Sequence, residues 1–154
     1  MDKVNGFTTL QVGQRIKVKG KPGSNGSFAA LEVSIKPADE DVALEGKIQG
    51  VDLQKNALRL MNRDFVLLDG IDIKDVQRQA ITLKDLKVGE VVKLKGKFSI
   101  AEGLKPGKVK LQESKHFSIE ELQGDIDKID PANKTLDVLG FVVSVNEKTE
   151  IEGL

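Results

Sequence analysis

The feature of this sequence that most constrains its fold is a repeat. The segment LQVGQRIKVKGK (residues 10–21) returns as LKVGEVVKLKGK (residues 86–97), at a constant offset of 76 residues. A repeat of this kind indicates a duplicated structural unit, and it has to be recognised before single elements are assigned. The identical positions at this offset are Leu10, Val12, Gly13, Lys17, Lys19, Gly20, Lys21 and Val33, which match Leu86, Val88, Gly89, Lys93, Lys95, Gly96, Lys97 and Val109.

A second match, at an offset of 78 residues, shows how the units are arranged. The segment LEGKIQGVDLQKNALRLM (residues 44–61) aligns with LQGDIDKIDPANKTLDVL (residues 122–139). Residues 43–114 therefore hold one complete unit. The other unit is divided, with its second half at residues 7–37 and its first half at residues 121–154.

Alternation of apolar and charged residues predicts that the units are built from strands. In RIKVKGK, Ile16 and Val18 share one face and Arg15, Lys17 and Lys19 the other, which is the period of a half-buried strand. The same reasoning predicts ten strands, five per unit, in the segments RIKVKGK, SFAALEVSI, EGKIQGV, ALRLM, FVLL, VVKLKGK, GKVKLQE, GDIDKID, TLDVLG and VVSV.

Helical signals are weak throughout. The best candidate is the short TLKDL, where Thr82 and Asp85 have the spacing of a helix cap. Five short strands per unit, with a brief helical link before the fourth, are typical of a small Greek-key barrel of the OB type. The predicted fold class is all-β: two OB-like barrels, one continuous (43–114) and one assembled from the N- and C-terminal segments (7–37 plus 121–154).

Composition argues against several classes of function. The 24 basic and 24 acidic residues balance, so no global field attracts nucleic acid or an anionic membrane. The chain has no Trp or Tyr and six Phe, whereas single-strand binders stack bases on aromatic side chains. Without Cys, disulfides and thiolate metal sites are excluded. No apolar run approaches the roughly 20 residues of a membrane helix.

Two phrases carry a resemblance to a known family. GDIDKIDPANKTLDVLGFVVSVNEKTEI and LKDLKVGEVVKLKGK resemble the DUF5666 type, a bacterial family of unknown function. The resemblance implies repeated OB-like modules in exported or lipid-anchored envelope proteins, although the chain shows no signal peptide. It implies no catalytic residues, because the matching positions are glycines, turns and alternating apolar residues.

The lysines form the one candidate site. Two like-placed basic stripes, Arg15, Lys17 and Lys19 in one unit and Lys93, Lys95 and Lys97 in the other, are candidates for binding an anion. The competing interpretation is a solvated strand face that guards against edge pairing. No catalytic, cofactor-binding or metal-binding residues are predicted: His116 lacks a nucleophile with recognisable spacing, and the acidic run Asp125, Asp127 and Asp130 lacks the oxygen and glycine positions of an EF-type calcium loop.

Two hypotheses about function remain. The first is a non-catalytic binding or scaffolding module with a protein or polyanionic partner, and the second is a nucleic-acid-binding protein that uses both lysine stripes. An enzyme is the least favoured class. We expect a monomer in which the divided barrel closes within one chain. The competing arrangement joins halves of neighbouring molecules head to tail, which would build rings or open chains.

Overall fold

The computed structural model describes residues 7–24, 26–113 and 119–152. The elements named in these residues are strands, apart from one 3-10 turn at Leu83–Asp85. The strands are β1 (Arg15–Pro22), β2 (Ser27–Ile35), β3 (Val42–Lys47), β4 (Gly50–Asp52), β5 (Ala57–Leu60), β6 (Arg63–Val66), β7 (Asp72–Lys74), β8 (Val91–Ser99), β9 (Gly103–Gln112), β10 (Glu120–Asp130), β11 (Thr135–Val138), β12 (Phe141–Ser144) and β13 (Glu150–Glu152).

The predicted all-β class is confirmed, with three differences in detail. The expected strand EGKIQGV is divided into β3 and β4 because its hydrogen-bonding partner changes between two consecutive residues. The N–H of Ile48 donates to the carbonyl of Glu90, next to β8, whereas the N–H of Gln49 donates to the carbonyl of Arg59 in β5. A strand that changes partner has to bend at the change. The short strands β7 and β13 were not predicted, since three residues are too few to show an alternating pattern.

The expected helical link is present as a single turn. Leu83–Asp85 form a 3-10 turn, and Oδ2 of Asp85 accepts hydrogen bonds from the backbone N–H and the hydroxyl of Thr82. Within the described ranges, no helix has the length and apolar character needed to cross a membrane.

A closed five-stranded barrel is formed by segments from the two ends of the chain. β1 pairs antiparallel with β2 and β10, β11 lies between β10 and β12, and β12 closes the ring by pairing parallel with β2. β13 adds to β2 in parallel. Residues near the N-terminus and residues past position 120 therefore share one core.

Most of these pairings recur in the middle of the chain, in the same register, but the pairing of β12 with β2 has no counterpart there within the described residues. Val18 lies opposite Val33 and Leu122, and its repeat partner Leu94 lies opposite Val109 and Leu44. Ladder irregularities fall between Lys19 and Gly20 and between Lys95 and Gly96, at equivalent positions. The parallel pairs of β13 with β2 and of β7 with β9 also match. We call the two assemblies the divided unit (β1, β2, β10–β13) and the continuous unit (β3–β9).

The units are joined through their equivalent strands β3 and β10. These strands pair antiparallel with Leu44 opposite Leu122, and these two residues are also aligned with each other in the sequence match. One apolar row runs across six strands of the joined sheet, and its members are all buried: Val33, Val18, Leu122, Leu44, Leu94 and Val109. Val18, which the alternation of RIKVKGK places on the apolar face of its strand, is buried, and so are Leu94, Ile126 and Leu136.

Candidate binding surfaces

Arg15 does not lie on an exposed basic stripe as expected. Arg15 is only 4% exposed. Its guanidinium donates hydrogen bonds to Oδ1 of Asp125 (2.8 Å) and to the backbone carbonyls of Asp41 (2.8 Å) and Asp39 (2.7 Å). The expectation of exposure is wrong because the connection after β2 folds back over the start of β1. All these donors are used, so Arg15 anchors that connection and is not available to a ligand.

The lysines of the divided unit face carboxylates. Lys17 Nζ lies 3.4 Å from Oε1 of Glu121, and Lys19 lies opposite Glu121 in the ladder. Glu121 in turn lies opposite Glu45 of β3. Burial raises the pKa of Glu45, and the carboxylate of Glu121 raises it further. The two stripes therefore do not merge into one positive surface, because an acidic pair separates them.

The stripe of the continuous unit is extended by lysines of the next strand. Three lysines of β8 lie directly opposite three lysines of β9, and we call these six residues the basic sheet face. The pairs are Lys93 with Lys110, Lys95 with Lys108 and Lys97 with Lys105. Like charges directly opposite each other across a ladder are destabilising. The equivalent ladder of the divided unit has no such pair: Ser34, Glu32 and Ala29 lie opposite Lys17, Lys19 and Lys21.

Acidic residues neutralise one end of the basic sheet face. Lys97 Nζ lies 2.9 Å from Oδ1 of Asp41, and Lys105 forms an ion pair with Glu102. The hydrogen bond from Lys97 lowers the pKa of Asp41. Among the described residues, the other four lysines form no ion pair: Lys93, Lys95, Lys108 and Lys110.

A second surface, which we call the inter-unit groove, lies between the two units. It has a cavity volume of about 700 Å³ and is lined by β6, by the hairpin of β8 and β9, and by β10, β11 and the turn after β11. Cavities of this size are typical of small-molecule and peptide sites. Arg63 forms part of the wall, with its guanidinium carbon 4.6 Å from the ring centroid of Phe141 in the other unit.

The groove exists because the continuous unit does not close as the divided unit does. In the divided unit Val142, Val143 and Ser144 pair with Ser27, Phe28 and Ala29. The equivalent segments 64–66 and 103–105 form no ladder within the described structure, and both line the groove. We call this unpaired junction between β6 and β9 the open seam.

Apolar side chains are exposed around the open seam. Val66, Leu68 and Ile100 line the groove and are 61%, 47% and 79% exposed. Their repeat partners in the divided unit are polar, namely Ser144, Asn146 and Ser24. A cluster of exposed apolar residues is typical of an interaction site, whereas single ones are ordinary.

The divided unit contributes two acidic residues to the wall of the groove. Asp127 and Asp137 line it from β10 and β11, and neither forms an ion pair with another described residue. Burial raises the pKa of Asp127, and the carboxylates of Asp125 and Asp137 raise it further. The surroundings of Asp127 therefore favour the approach of a cation.

The other residues weighed in the sequence have structural roles or lie outside the description. Asp130 accepts hydrogen bonds from the backbone N–H groups of Ala132 and Asn133, so it stabilises the turn between β10 and β11. Asp125 pairs with Arg15. His116 lies outside the described residues.

Sequence reasoning missed the groove entirely and half of the basic sheet face. Lys108 and Lys110 belong to GKVKLQE, whose alternation predicts only a strand, and Lys105 precedes that segment. A signal for the groove was present in the repeat, since Val66, Leu68 and Ile100 replace polar residues of the other copy. The open seam itself has no sequence signal, because it depends on how far β6 lies from β9.

Comparison with known proteins identifies a domain family but no activity. Neither a curated protein nor a solved structure matches this chain significantly. The model of a domain of unknown function, DUF5666, matches residues 1–34, a span that includes β1 and most of β2. Over these residues the chain is similar to the DUF5666 type, a family of unknown function.

Proposed function

We propose that this chain is a non-catalytic binding or scaffolding module built from two OB-like Greek-key units of a duplicated sequence. The pairing order of the divided unit, its recurrence in the continuous unit and the matching ladder registers support the duplication. The resemblance to the DUF5666 type supports a place in a bacterial exported or envelope protein. We assign no reaction to either surface.

The inter-unit groove is the binding surface in this proposal. The observation that carries it is the exposure of Val66, Leu68 and Ile100 around an open seam, at positions where the other copy is polar and its barrel closed. Exposed apolar area costs free energy in water, roughly 25 cal/mol per Å², and a partner that covers it recovers this energy. A unit that exposes apolar residues where its copy has polar ones has a surface suited to an apolar partner group.

The experiment replaces the three apolar residues by those of the other copy. The variant Val66→Ser, Leu68→Asn, Ile100→Ser is compared with Val88→Ser, which alters a residue that is 66% exposed and outside the groove. Binding of the neutral apolar dye Nile red, followed by its fluorescence, should fall at least fivefold in the triple variant and stay unchanged in Val88→Ser. Equal dye binding by both variants would reject the groove as an apolar binding surface.

A polyanion, including nucleic acid, is the second candidate ligand, and the three lysine–lysine pairs favour it. An anion placed over Lys93, Lys95, Lys108 and Lys110 would relieve repulsion that no ion pair in the described chain relieves. If these four lysines contact phosphates, the logarithm of the binding constant should fall with the logarithm of the salt concentration with a slope of about −3 to −4. Titrating a labelled oligonucleotide and a sulfated polysaccharide in 50–200 mM salt tests this, and the absence of binding to both at the lowest salt would exclude it.

A further inference from the structure

The chemistry of the inter-unit groove specifies its occupant more closely. Three features meet there: exposed apolar side chains of the continuous unit, the acidic pair Asp127 and Asp137 of the divided unit, and strand edges without a ladder partner in the described structure. Each feature restricts what can bind. The following inference rests on the proposed function of the groove.

The open seam favours an occupant that forms backbone hydrogen bonds. β6 pairs with β5 on one edge, and residues 103–106 of β9 pair with β8 on one edge, while their facing edges have no ladder partner in the described structure. A purely hydrocarbon ligand would cover these N–H and C=O groups without satisfying them, which is unfavourable for every group that it covers. An extended peptide satisfies them by strand addition.

Admission of a peptide strand breaks no existing ladder. The strands β6 and β9 approach within 8 Å between Cα atoms, whereas a strand between them needs about twice the 4.8 Å spacing of neighbouring strands. The seam therefore has to widen by roughly 2 Å or more. No hydrogen-bonded ladder joins these two strands in the described chain, so widening does not have to disrupt one.

The acidic pair Asp127 and Asp137 favours an occupant that carries a positive charge. Asp127 is partly buried, and the groups that raise its pKa besides burial are carboxylates, those of Asp125 and Asp137. Of the cations that line the groove, Arg63 lies over the ring of Phe141 and Lys105 pairs with Glu102, and neither forms an ion pair with Asp127 or Asp137 among the described residues. Lys128 also lines the groove, but it is exposed and forms no ion pair with a described residue. A lysine or arginine of the occupant would be attracted to Asp127 and Asp137.

We propose that the inter-unit groove binds an extended segment of a partner protein in which an apolar residue lies close to a lysine or arginine. The apolar side chain contacts Val66, Leu68 and Ile100. The backbone pairs along the open seam, and the basic side chain reaches Asp127 and Asp137.

The test is selection from a displayed library of random dodecapeptides on the complete chain. Enriched peptides should contain a basic residue near an apolar one, and a synthetic copy should lose at least tenfold in affinity when its basic residue becomes glutamine. The variant Asp127→Asn, Asp137→Asn should lose affinity for the original peptide by about the same factor, but not for the glutamine peptide, since a close charge pair couples the two changes. The variant Glu147→Gln is the matched control, because Glu147 is an exposed acid outside the groove.

The outcomes separate this inference from the proposed function. One outcome is that peptides need Val66, Leu68 and Ile100 for binding and yet bind the doubly substituted Asn variant as tightly as the parent. That result would refute the role of the basic residue and would leave the apolar binding surface supported. Peptides that ignore the three apolar residues, or a library that yields no enriched peptide, would overturn both. Unchanged thermal unfolding of the Asn variant confirms that its loss of binding is local.

Discussion

Two equivalent glycines provide a sharp test of the duplicated architecture. Gly20 and Gly96 lie at the ladder irregularities of β1 and β8. A Cβ atom added to Gly20 would overlap the backbone carbonyl of Ala29, and one added to Gly96 would overlap that of Lys105. A backbone carbonyl in a ladder cannot rotate away, so the neighbouring strand itself has to move.

The cost of Gly20→Ala or Gly96→Ala follows from that displacement. Overpacking of a close contact costs about 1–3 kcal/mol, and loss of one or two ladder hydrogen bonds adds about 1 kcal/mol each. We expect each variant to lose about 3 kcal/mol of unfolding free energy. At 2–4 °C for each kcal/mol in a chain of this size, the melting temperature should fall by about 6–12 °C.

Urea unfolding of both variants, followed by far-UV circular dichroism, measures this effect. Gly107→Ala in the same hairpin is the control, because the nearest atom to its added Cβ is the carbonyl oxygen of Lys95 at 3.9 Å. We expect its unfolding free energy to stay within about 0.5 kcal/mol of the parent. If Gly20→Ala or Gly96→Ala unfolds at the same urea concentration as Gly107→Ala, the close approach at the bulge is wrong. If only one is destabilised, the two bulges are not equivalent.

Three further predictions concern the core, the acidic pair and the closure of the divided unit. Ile126→Ala should cost about 2–4 kcal/mol through lost burial and a residual cavity, whereas Lys19→Ala should stay within about 0.5 kcal/mol; reversed urea midpoints would invert the assumed strand register. The raised pKa of Glu45 means that its contribution to stability is present below its unfolded value of about 4.5 and is lost as the pH rises through the folded value. Glu45→Gln, which stays neutral, should therefore be more stable than the parent in urea at pH 7 and no more stable below pH 4.5, and an equal midpoint at pH 7 would contradict the burial of this carboxylate. Light scattering should give 16.8 kDa at every concentration if the divided unit closes within one chain, and a mass that rises with concentration would favour head-to-tail assembly.

The strand core could be predicted from the sequence because its signals are local. Ile16 and Val18 alternate with charged residues, and a period of two places them on one face whatever their neighbours are. At the repeat offset of 76 residues, Val92 and Leu94 align with Ile16 and Val18, so the same face is predicted for them. The missed strands β7 and β13 show the limit of this reasoning, since three residues stabilised by a parallel neighbour have no pattern of their own.

The candidate sites could not be predicted to the same extent, because they depend on contacts between distant segments. Arg15 has the same place in its strand's alternation as Lys17, yet Asp39, Asp41 and Asp125 bury its guanidinium. The lysine–lysine pairs required the register of β8 against β9, which a ladder irregularity shifts between Lys95 and Gly96.

The sequence by itself determined that the chain is all-β, because alternation and turn residues are properties of short segments, and its offsets predicted a repeated pattern with one copy divided between the two ends. Only the tertiary structure decided that one unit closes while the other keeps an open seam. The physical reason is that hydrogen bonding between β6 and β9 depends on their distance, which the packing of both units sets together, and no residue of either strand encodes that distance alone.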